Sequence, residues 1–422
     1  MTAPAAALST ALADILADPD TAPLGSRTTA EDRQHLAYGL PGIALLHIER
    51  AAAGLAPWHR AHAWLTACAR QPFTSGADSH PFYGAPAFAH VLTCAAEHLP
   101  GSYQRALTTL DDQIARDVLR HLAAAHRRLD AGRLPETAEF DAIRGLSGYG
   151  TYLLRRNPGS ATVRTALDYC VRLTEPVIHN GVALPGWWTP AAPSGRLDTG
   201  RFPGGHANSG MAHGVGGVLA FLALAARRGT VVDGHHDAMN TILVWLDRWR
   251  EESGCGPAWP YWVTREELRS GQLAPSTPRR PSWCYGTAGL ARAQQLAALA
   301  LGDTPRRLDS ENALVASLTD AAQLKATTDD GLCHGFAGLA HIAARTAADA
   351  HPSTAGQLQA LIPALLATIC PPGTDPATAA ATVVREAGPG YLDGAAGIAL
   401  ALLAPATRTP PRTTWDACLL IA

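Results

Sequence analysis

The sequence predicts an all-α protein built as an α/α toroid, a double ring of seven buried helices inside seven amphipathic ones. Three observations lead to this fold. A glycine step recurs seven times along the 422 residues, an apolar helix follows each step, and amphipathic segments lie between those helices. Strand signals are scarce. The repeat predicts a single domain over residues 1–422, with its seven helical hairpins between about 35 and 403.

Each glycine step has two small residues three positions apart, directly ahead of an alanine-rich helix. Glycine suits the step because a backbone without Cβ takes unusual φ values and packs closely on its neighbour. Each interval between first glycines leaves room for two helices and a loop. The seven steps are Gly39-x-x-Gly42, Gly84-x-x-Ala87, Gly145-x-x-Gly148, Gly214-x-x-Gly217, Gly286-x-x-Gly289, Gly335-x-x-Gly338 and Gly394-x-x-Gly397.

The helices differ in how apolar residues are spaced along them. The helix after Gly214 is apolar nearly all round between residues 218 and 222, and so is the last one between 398 and 403. Such helices are predicted to be buried on every side. The segments between them have apolar residues at i, i+3 and i+4 spacing, with charges on the other face, and belong outside. Examples of this spacing are Met239, Ile242, Leu243 and Leu246.

Two long irregular stretches, Ala192 to Asn208 and Gly254 to Trp283, stand beside the fourth and fifth steps. Loops of this length inside a compact domain usually carry function. Between Leu92 and Asp141, helical periodicity argues against an inserted subdomain. If all the buried helices begin at one end of the ring, the residues before their steps meet there. The positive ends of the helix dipoles meet there as well, which favours anionic groups.

Composition and charge exclude several classes of protein. The net charge of −2 and the pI near 6.8, without a basic run, argue against nucleic acid or an anionic membrane as the main partner. The longest apolar runs have about 13 residues, short of the ~20 that span a bilayer. The first residues lack a positively charged leader and meet Asp14 early, so no signal peptide is predicted. We therefore expect a cytoplasmic protein that does not span a membrane.

The eight cysteines form no dense framework, which favours free thiols or metal ligands over disulfides. Cys284 and Cys333 stand at glycine steps, and His334 follows Cys333. Two sulfurs and one nitrogen that leave a fourth position open suit a catalytic zinc, whereas a structural zinc is normally closed by four protein ligands. The two cysteines can belong to one site only if the fold brings their loops together. Five others are predicted to be small buried residues, namely Cys68, Cys94, Cys170, Cys370 and Cys418; the eighth is Cys255.

Three runs at the steps, MAHGVGG, WCYGTAG and CHGFAG, carry a resemblance to a known family. With them the chain resembles, from His35 to Leu403, the lanthionine synthetase C-like family, the cyclases that form thioether rings in lanthipeptides. Members are α/α toroids with one zinc, and the resemblance implies Cys284, Cys333 and His334 as its ligands. The chain departs from the pattern at Ala288, where many members carry proline, and at Ala87 of the second step. Neither departure touches the chemistry.

The resemblance also implies four catalytic residues. They are Asp141 in the run DAIRGLSG, His213 in AHG, Arg280 four residues before Cys284, and Tyr285 after it. We expect His213 to carry the proton, because imidazole titrates near physiological pH. Arg280 is expected to stabilise a developing enolate, and Asp141 to orient or polarise His213. The alternatives are a core histidine, a surface arginine, a helix N-cap at Asp141 and simple packing or substrate positioning for Tyr285.

A second histidine and several aromatic residues accompany these positions. His206 ranks below His213 as the proton carrier because it lies outside the repeat position. Six aromatic residues flank the two long stretches and are candidates to wall a peptide groove, although core packing is the alternative for each of them. They are Trp187, Trp188, Trp259, Tyr261, Trp262 and Trp283.

The resemblance implies a zinc-dependent lanthipeptide cyclase of antibiotic biosynthesis, with one zinc per chain. Cysteine thiols of a dehydrated precursor peptide would add to its dehydroalanine or dehydrobutyrine residues. The implied partners are that precursor, a lanthipeptide dehydratase and an exporter complex. Two other functions remain open: addition of glutathione or another small thiol to dehydroamino acids, and a non-catalytic toroid that binds peptides around a structural zinc. Protein prenyltransferases share the toroid and zinc-bound thiolate chemistry but lack these motifs.

Overall fold

A computed structural model describes residues 2–25, 29–196, 200–253, 256–275, 279–407 and 410–422 of the chain. Cys255 and parts of the two long stretches lie outside these ranges. The described chain is mainly helical. Its helices are α1 (Thr2–Ile15), α2 (Leu40–Ala52), α3 (Trp58–Ala69), α4 (Ala85–Ala96), α5 (Gln104–Asp130), α6 (Thr137–Phe140), α7 (Leu146–Arg156), α8 (Ala161–Arg172), α9 (Val215–Arg227), α10 (His235–Arg248), α11 (Arg265–Ser270), α12 (Thr287–Leu301), α13 (Thr304–Thr319), α14 (Ala321–Lys325), α15 (Phe336–Asp349), α16 (Pro352–Ile369), α17 (Pro376–Ala387) and α18 (Ala395–Thr407).

Short strands lie within and just before the two stretches that the sequence predicted as irregular loops. They pair as three small antiparallel sheets, in the orders β1-β2, β3-β4-β7 and β5-β6. Each has only two or three residues, too few for a period-2 pattern to identify it in the sequence. The strands are β1 (Val177–His179), β2 (Val182–Leu184), β3 (Trp188–Thr189), β4 (His206–Asn208), β5 (Glu251–Ser253), β6 (Gly256–Ala258) and β7 (Trp262–Thr264).

A helix begins directly after the first glycine of each predicted step. These helices are α2, α4, α7, α9, α12, α15 and α18. They are buried along most of their length, as the stretch from Val215 to Ala225 in α9 illustrates. The predicted set of seven buried helices is therefore confirmed. Between Leu92 and Asp141 the chain forms α5 and the short α6, in agreement with the helical periodicity there.

Close packing, more than unusual φ, explains the glycines of the steps. A Cβ on Gly289 would lie 2.2 Å from the carbonyl oxygen of Trp283, six residues earlier. The same clash with the carbonyl six residues back would arise at the second glycine of four other steps, namely Gly42, Gly217, Gly338 and Gly397. Among the first glycines, only those at 84 and 286 have a positive φ, of 72° and 114°. The unusual φ expected at every step is thus found at two.

By its internal contacts the chain divides into two compact units, and the first comprises residues 1–114, 327–417 and 422. In this unit α2 packs on α3, α4 and α18, and α15 packs on α16 and α18. The last buried helix, α18, packs on the N-terminal helix α1 and on α17 rather than on a following amphipathic helix. The order of buried helix then amphipathic helix, predicted for every repeat, therefore does not extend to the last one.

The second unit comprises residues 115–326 and 418–421. Its buried helices α7, α9 and α12 pack in that order, while α8 packs on α7, α10 on α9 and α13 on α12. The sheet of β3, β4 and β7 also belongs here. Its central strand, β4, ends at Asn208, just ahead of the step at Gly214. The single-domain organisation remains a prediction.

Two expectations about the chain as a whole can be compared with the structure. Over the described ranges, no helix combines the length and apolarity needed to cross a bilayer. No disulfide joins any of the seven cysteines that the structure describes. Of the five predicted to be buried, four are, whereas Cys418 is half-buried.

Candidate active site

Asp141 and His213 form a hydrogen-bonded pair at the start of α7 and α9. Nδ1 of His213 lies 2.7 Å from Oδ2 of Asp141. The other carboxylate oxygen accepts hydrogen bonds from the backbone N–H groups of Arg144 and Gly145, at 2.6 and 2.9 Å, so the turn before α7 holds the carboxylate in place. Because a carboxylate only accepts, Nδ1 carries a proton and Nε2 is left for a substrate. Asp141 thus orients His213 and also caps a turn. It has features of both roles that the sequence analysis considered for it.

The surroundings of His213 raise its pKa. Burial disfavours the imidazolium, but the hydrogen bond and the negative charge of Asp141, with a smaller contribution from Cys284, outweigh that effect. The side chain of Asp141 is 2% exposed and that of His213 is 38% exposed. The imidazole therefore keeps its proton to higher pH than usual while remaining accessible, which suits a group that exchanges a proton with a substrate.

Replacing Asp141 with asparagine is expected to lower the pKa of His213. The amide oxygen can still accept from Arg144 and Gly145, so the turn persists, but the neutral side chain no longer attracts the imidazolium charge. The pKa of His213, now above the ordinary value of ~6.5, should fall, so that the imidazolium is lost at lower pH. NMR titration of the His213 ring measures the shift. The same pKa in both proteins would show that Asp141 does not control it.

The loop that carries Cys284 is held by backbone and side-chain hydrogen bonds. Ser282 donates from its backbone N–H to the carbonyl of Tyr285 at 3.1 Å, and its hydroxyl lies 3.6 Å from the Cys284 sulfur. The backbone N–H of Ala212 donates to the Cys284 carbonyl at 3.4 Å, which joins this loop to the one that carries His213. Cys284 itself is buried. A buried sulfur on a fixed loop is a suitable metal ligand.

Tyr285 and Arg280 belong to the same loop. The ring of Tyr285 lies beside that of His213, with 6.2 Å between centroids. Burial raises the pKa of Tyr285 to about 12, although a hydrogen bond from Asn208 to the phenolic oxygen opposes the shift. The phenol is therefore neutral. The Nε of Arg280 is buried and has no hydrogen-bond partner among the residues that the structure describes, so its N–H remains for an anion.

Cys333 and His334 lie just before α15, in the first unit. The backbone N–H of Cys333 donates to the carbonyl of Leu392 at 2.9 Å. Two carboxylates flank the imidazole of His334: Oδ2 of Asp329 lies 3.5 Å from Nε2, and Oδ1 of Asp393 lies 3.7 Å from Nδ1. Carboxylates commonly orient a histidine that binds a metal.

The three predicted metal ligands are side chains of the kind that could hold a metal ion, namely the thiols of Cys284 and Cys333 and the imidazole of His334. Two thiols and an imidazole are donors that zinc prefers, and three of them leave one position of a tetrahedral ion open. The residues present therefore fit a metal ion.

His206 has the features of a structural histidine. It is fully buried in β4, its Nδ1 lies 2.8 Å from the carbonyl oxygen of Ala191, and burial lowers its pKa to about 4. It is thus neutral at physiological pH and lies away from solvent. These observations favour core packing for His206 over a role as the proton carrier.

The aromatic residues near the two long stretches fall into two sets. Four are buried in the core, namely Trp187, Trp188, Trp259 and Trp283. Tyr261 and Trp262 lie beside the Tyr285 ring, at 5.5 and 5.4 Å between centroids. Unlike the other four, these two are half-buried. Sequence reasoning missed Asn208, whose contact with Tyr285 spans 77 positions of the chain and leaves no local signal.

The fold of this chain is similar to that of a solved structure. The structure named nisin cyclase matches this chain with a TM-score of 0.77 at 20% sequence identity, over 94% of this chain and 93% of that one. This likeness confirms the predicted fold class. The chain has an all-α fold of the α/α-toroid type.

The sequence of this chain is similar to that of a curated relative and to a family model. The nisin biosynthesis protein NisC of Lactococcus lactis subsp. lactis is 27% identical to this chain over 208 residues, which are 48% of each protein. The match therefore spans about half the length of that relative. The family model described as lanthionine synthetase C-like protein matches residues 31–420, nearly the whole chain. The chain belongs to the lanthionine synthetase C-like family.

Proposed function

We propose that this protein is a zinc-dependent lanthipeptide cyclase. It adds cysteine thiols of a dehydrated precursor peptide to dehydroalanine or dehydrobutyrine and forms lanthionine or methyllanthionine rings. The observation that carries the proposal is the pair of Asp141 and His213, an accessible imidazole with a raised pKa on a loop joined to that of Cys284. Family membership supports the reaction class.

Cys284, Cys333 and His334 would hold one zinc ion per chain. When bound, the zinc lowers the pKa of a coordinated substrate thiol, so that the thiolate is present at neutral pH. Three protein ligands agree with a catalytic ion better than with a structural one, which is normally closed by four.

The remaining steps belong to the residues of the chain. Nε2 of His213 is the atom able to take up the thiol proton, since Nδ1 is occupied by Asp141. The substrate sulfur then bonds to the β-carbon, and the electrons of the carbon–carbon double bond move onto the carbonyl oxygen as an enolate. His213 returns the proton to the α-carbon. Atoms and charge balance, and no redox partner is needed.

Arg280 and Tyr285 supply hydrogen-bond donors for the enolate oxygen. The buried Nε–H of Arg280 and the neutral phenol of Tyr285 are available on the loop next to Cys284. Donors of this kind stabilise the charge that develops in the transition state.

We also propose partner proteins and a location for the protein. A dehydratase must act first, because the substrate contains dehydroamino acids. An exporter complex is a further proposed partner. A cytoplasmic location is proposed as well, supported by the absence of disulfides among the seven described cysteines.

A synthetic peptide with one dehydroalanine and one cysteine tests the function. The zinc-loaded protein is expected to consume the peptide thiol without changing the peptide mass, which a thiol-alkylating probe and mass spectrometry detect. With glutathione present, a gain of one glutathione per peptide would instead support the intermolecular alternative. A peptide that binds but keeps both its thiol and its alkene would support the non-catalytic toroid.

Replacing Cys284 with alanine is expected to remove most of the zinc and the cyclase activity. The matched control is Cys418→Ala, which removes a half-buried thiol outside the metal group and should keep a full equivalent of zinc. Metal analysis of both proteins decides the ligand assignment, and full zinc in the Cys284 variant would refute it.

Chelation of the unmutated protein should stop activity but leave helix content largely unchanged. A collapse of the circular dichroism signal would point to a structural zinc.

A further inference from the structure

Asn208 is a buried amide at the end of β4 that bonds to both the backbone and Tyr285. It is 1% exposed and pairs in the sheet with Trp262 of β7. Its Oδ1 accepts a hydrogen bond from the backbone N–H of Gly210 at 2.9 Å, and its Nδ2 lies 3.2 Å from the hydroxyl of Tyr285. A buried amide with both ends bonded has a fixed orientation.

The backbone partner decides which end of the amide faces Tyr285. A backbone N–H can only donate, so the atom next to Gly210 must be the amide oxygen. The atom next to Tyr285 is therefore the NH₂ group, which can only donate. The phenolic oxygen accepts this hydrogen bond, and the proton of the phenol is directed elsewhere.

The ring of Tyr285 is also held in place. A Cβ on Gly210 would lie 2.8 Å from Cδ1 of Tyr285 and 2.5 Å from the Cys284 carbonyl oxygen, so the loop after β4 fits against this ring only because residue 210 has no side chain. The rings of Trp262 and His213 lie on other parts of it, at 5.4 and 6.2 Å between centroids. The hydroxyl thus has a defined position near the proton carrier.

We propose that Asn208 is a positioning residue that orients the hydroxyl of Tyr285 so that its O–H donates a hydrogen bond to the carbonyl oxygen of the dehydroamino acid. This inference rests on the proposed function, since that oxygen becomes the enolate oxygen. Asn208 does not touch the substrate. Because its NH₂ group cannot accept a hydrogen bond, the O–H of Tyr285 remains able to donate to the substrate.

Asn208→Asp reverses the polarity of this contact while preserving the loop. One oxygen of the new carboxylate still accepts from Gly210, but the other replaces the NH₂ donor with an acceptor. The phenol then donates to the carboxylate and is lost to the substrate. The expected result is a fall in kcat of about 10- to 150-fold, the size of one hydrogen bond to a charged group, with KM and zinc content retained. Asn240→Asp, on the exposed face of α10, controls for added charge.

A double-mutant cycle separates this role from a general effect on the site. In a Tyr285→Phe background, Asn208→Asp should cause no further fall in kcat, because the hydroxyl it acts on is absent. An equal fall in both backgrounds would overturn the proposal, since Asn208 would then act on another group. An unchanged rate in the Asn208→Asp protein with a slow Tyr285→Phe protein would overturn it as well.

A spectroscopic measurement tests the inference without using activity. The ultraviolet resonance Raman difference between the unmutated and Tyr285→Phe proteins isolates one phenol, and the intensity ratio of its Fermi doublet distinguishes an accepting hydroxyl from a donating one. We expect an accepting hydroxyl in the unmutated protein and a donating one after Asn208→Asp. A donor-only signal in the unmutated protein would refute the inference even if Asn208→Asp did not fold. A wrong proposed function would be recognised by a different result, because the unmutated protein would then leave the dehydroalanine peptide unchanged.

Discussion

Replacing His213 with asparagine is expected to slow cyclisation by about 10²- to 10⁴-fold, the usual loss when a general acid or base is removed. The amide can still donate to Asp141, so the buried carboxylate keeps a partner and the fold should persist. It cannot exchange a proton near neutral pH. Thiol alkylation and mass spectrometry of the peptide measure the rate, and zinc content should match that of the unmutated protein.

Two outcomes would contradict this assignment for His213. If the variant cyclised at the unmutated rate, His206 or water would have to carry the proton. If it lost zinc, His213 would be a metal ligand and the three-ligand site would be wrong. Added imidazole should partly restore activity to His213→Ala, because the side chain is 38% exposed and its place is accessible. That rescue would identify the missing group as an imidazole.

Replacing Asp416 with asparagine is expected to destabilise the fold by about 3–5 kcal/mol, the range found when one partner of a buried ion pair is removed. Asp416 is fully buried and accepts hydrogen bonds from His341 at 2.7 Å and from Arg345 at 2.6 and 2.7 Å. The substitution leaves the guanidinium without its counter-charge. Urea unfolding followed by circular dichroism measures the loss, in proteins with equal zinc content.

The stability difference between the unmutated and Asp416→Asn proteins should depend on pH, because the pKa of Asp416 is shifted. Burial alone would raise the pKa of Asp416, but Arg345 and His341 outweigh it and hold the pKa far below the ordinary value of ~3.9. A depressed pKa means that the stabilisation is fully present above the unfolded-state pKa and is lost progressively as pH falls from there through the lower folded-state pKa. The two proteins should therefore differ by a constant amount near neutral pH and converge in acid.

A surface pair provides the control for Asp416→Asn. Asp20 and Arg70 lie 2.7 Å apart but are largely exposed, so water screens their attraction and Asp20→Asn should change stability little. Equal losses from Asp20→Asn and Asp416→Asn would show that burial does not set the size of the effect. A gap that persisted in acid would show that the charge of Asp416 is not its cause.

The helical architecture was largely predictable because its signals are local. A glycine step followed by an apolar run lies within about ten neighbouring residues, and each of the seven became the start of a buried helix. The clash of a Cβ at Gly289 with Trp283 is equally local, six residues along the chain. The pairing of α18 with α1 was not predictable, since these helices stand at opposite ends of the sequence.

The sequence by itself determined the family, the buried helices and the residue types of the site, because periodicity and motifs reside in adjacent positions. Tertiary structure alone decided which side chains act on one another. His213 meets Asp141 across 72 positions, Asn208 meets Tyr285 across 77, and His341 meets Asp416 across 75. Hydrogen bonds need distances near 3 Å, and over such separations only the packing of whole helices brings two atoms that close.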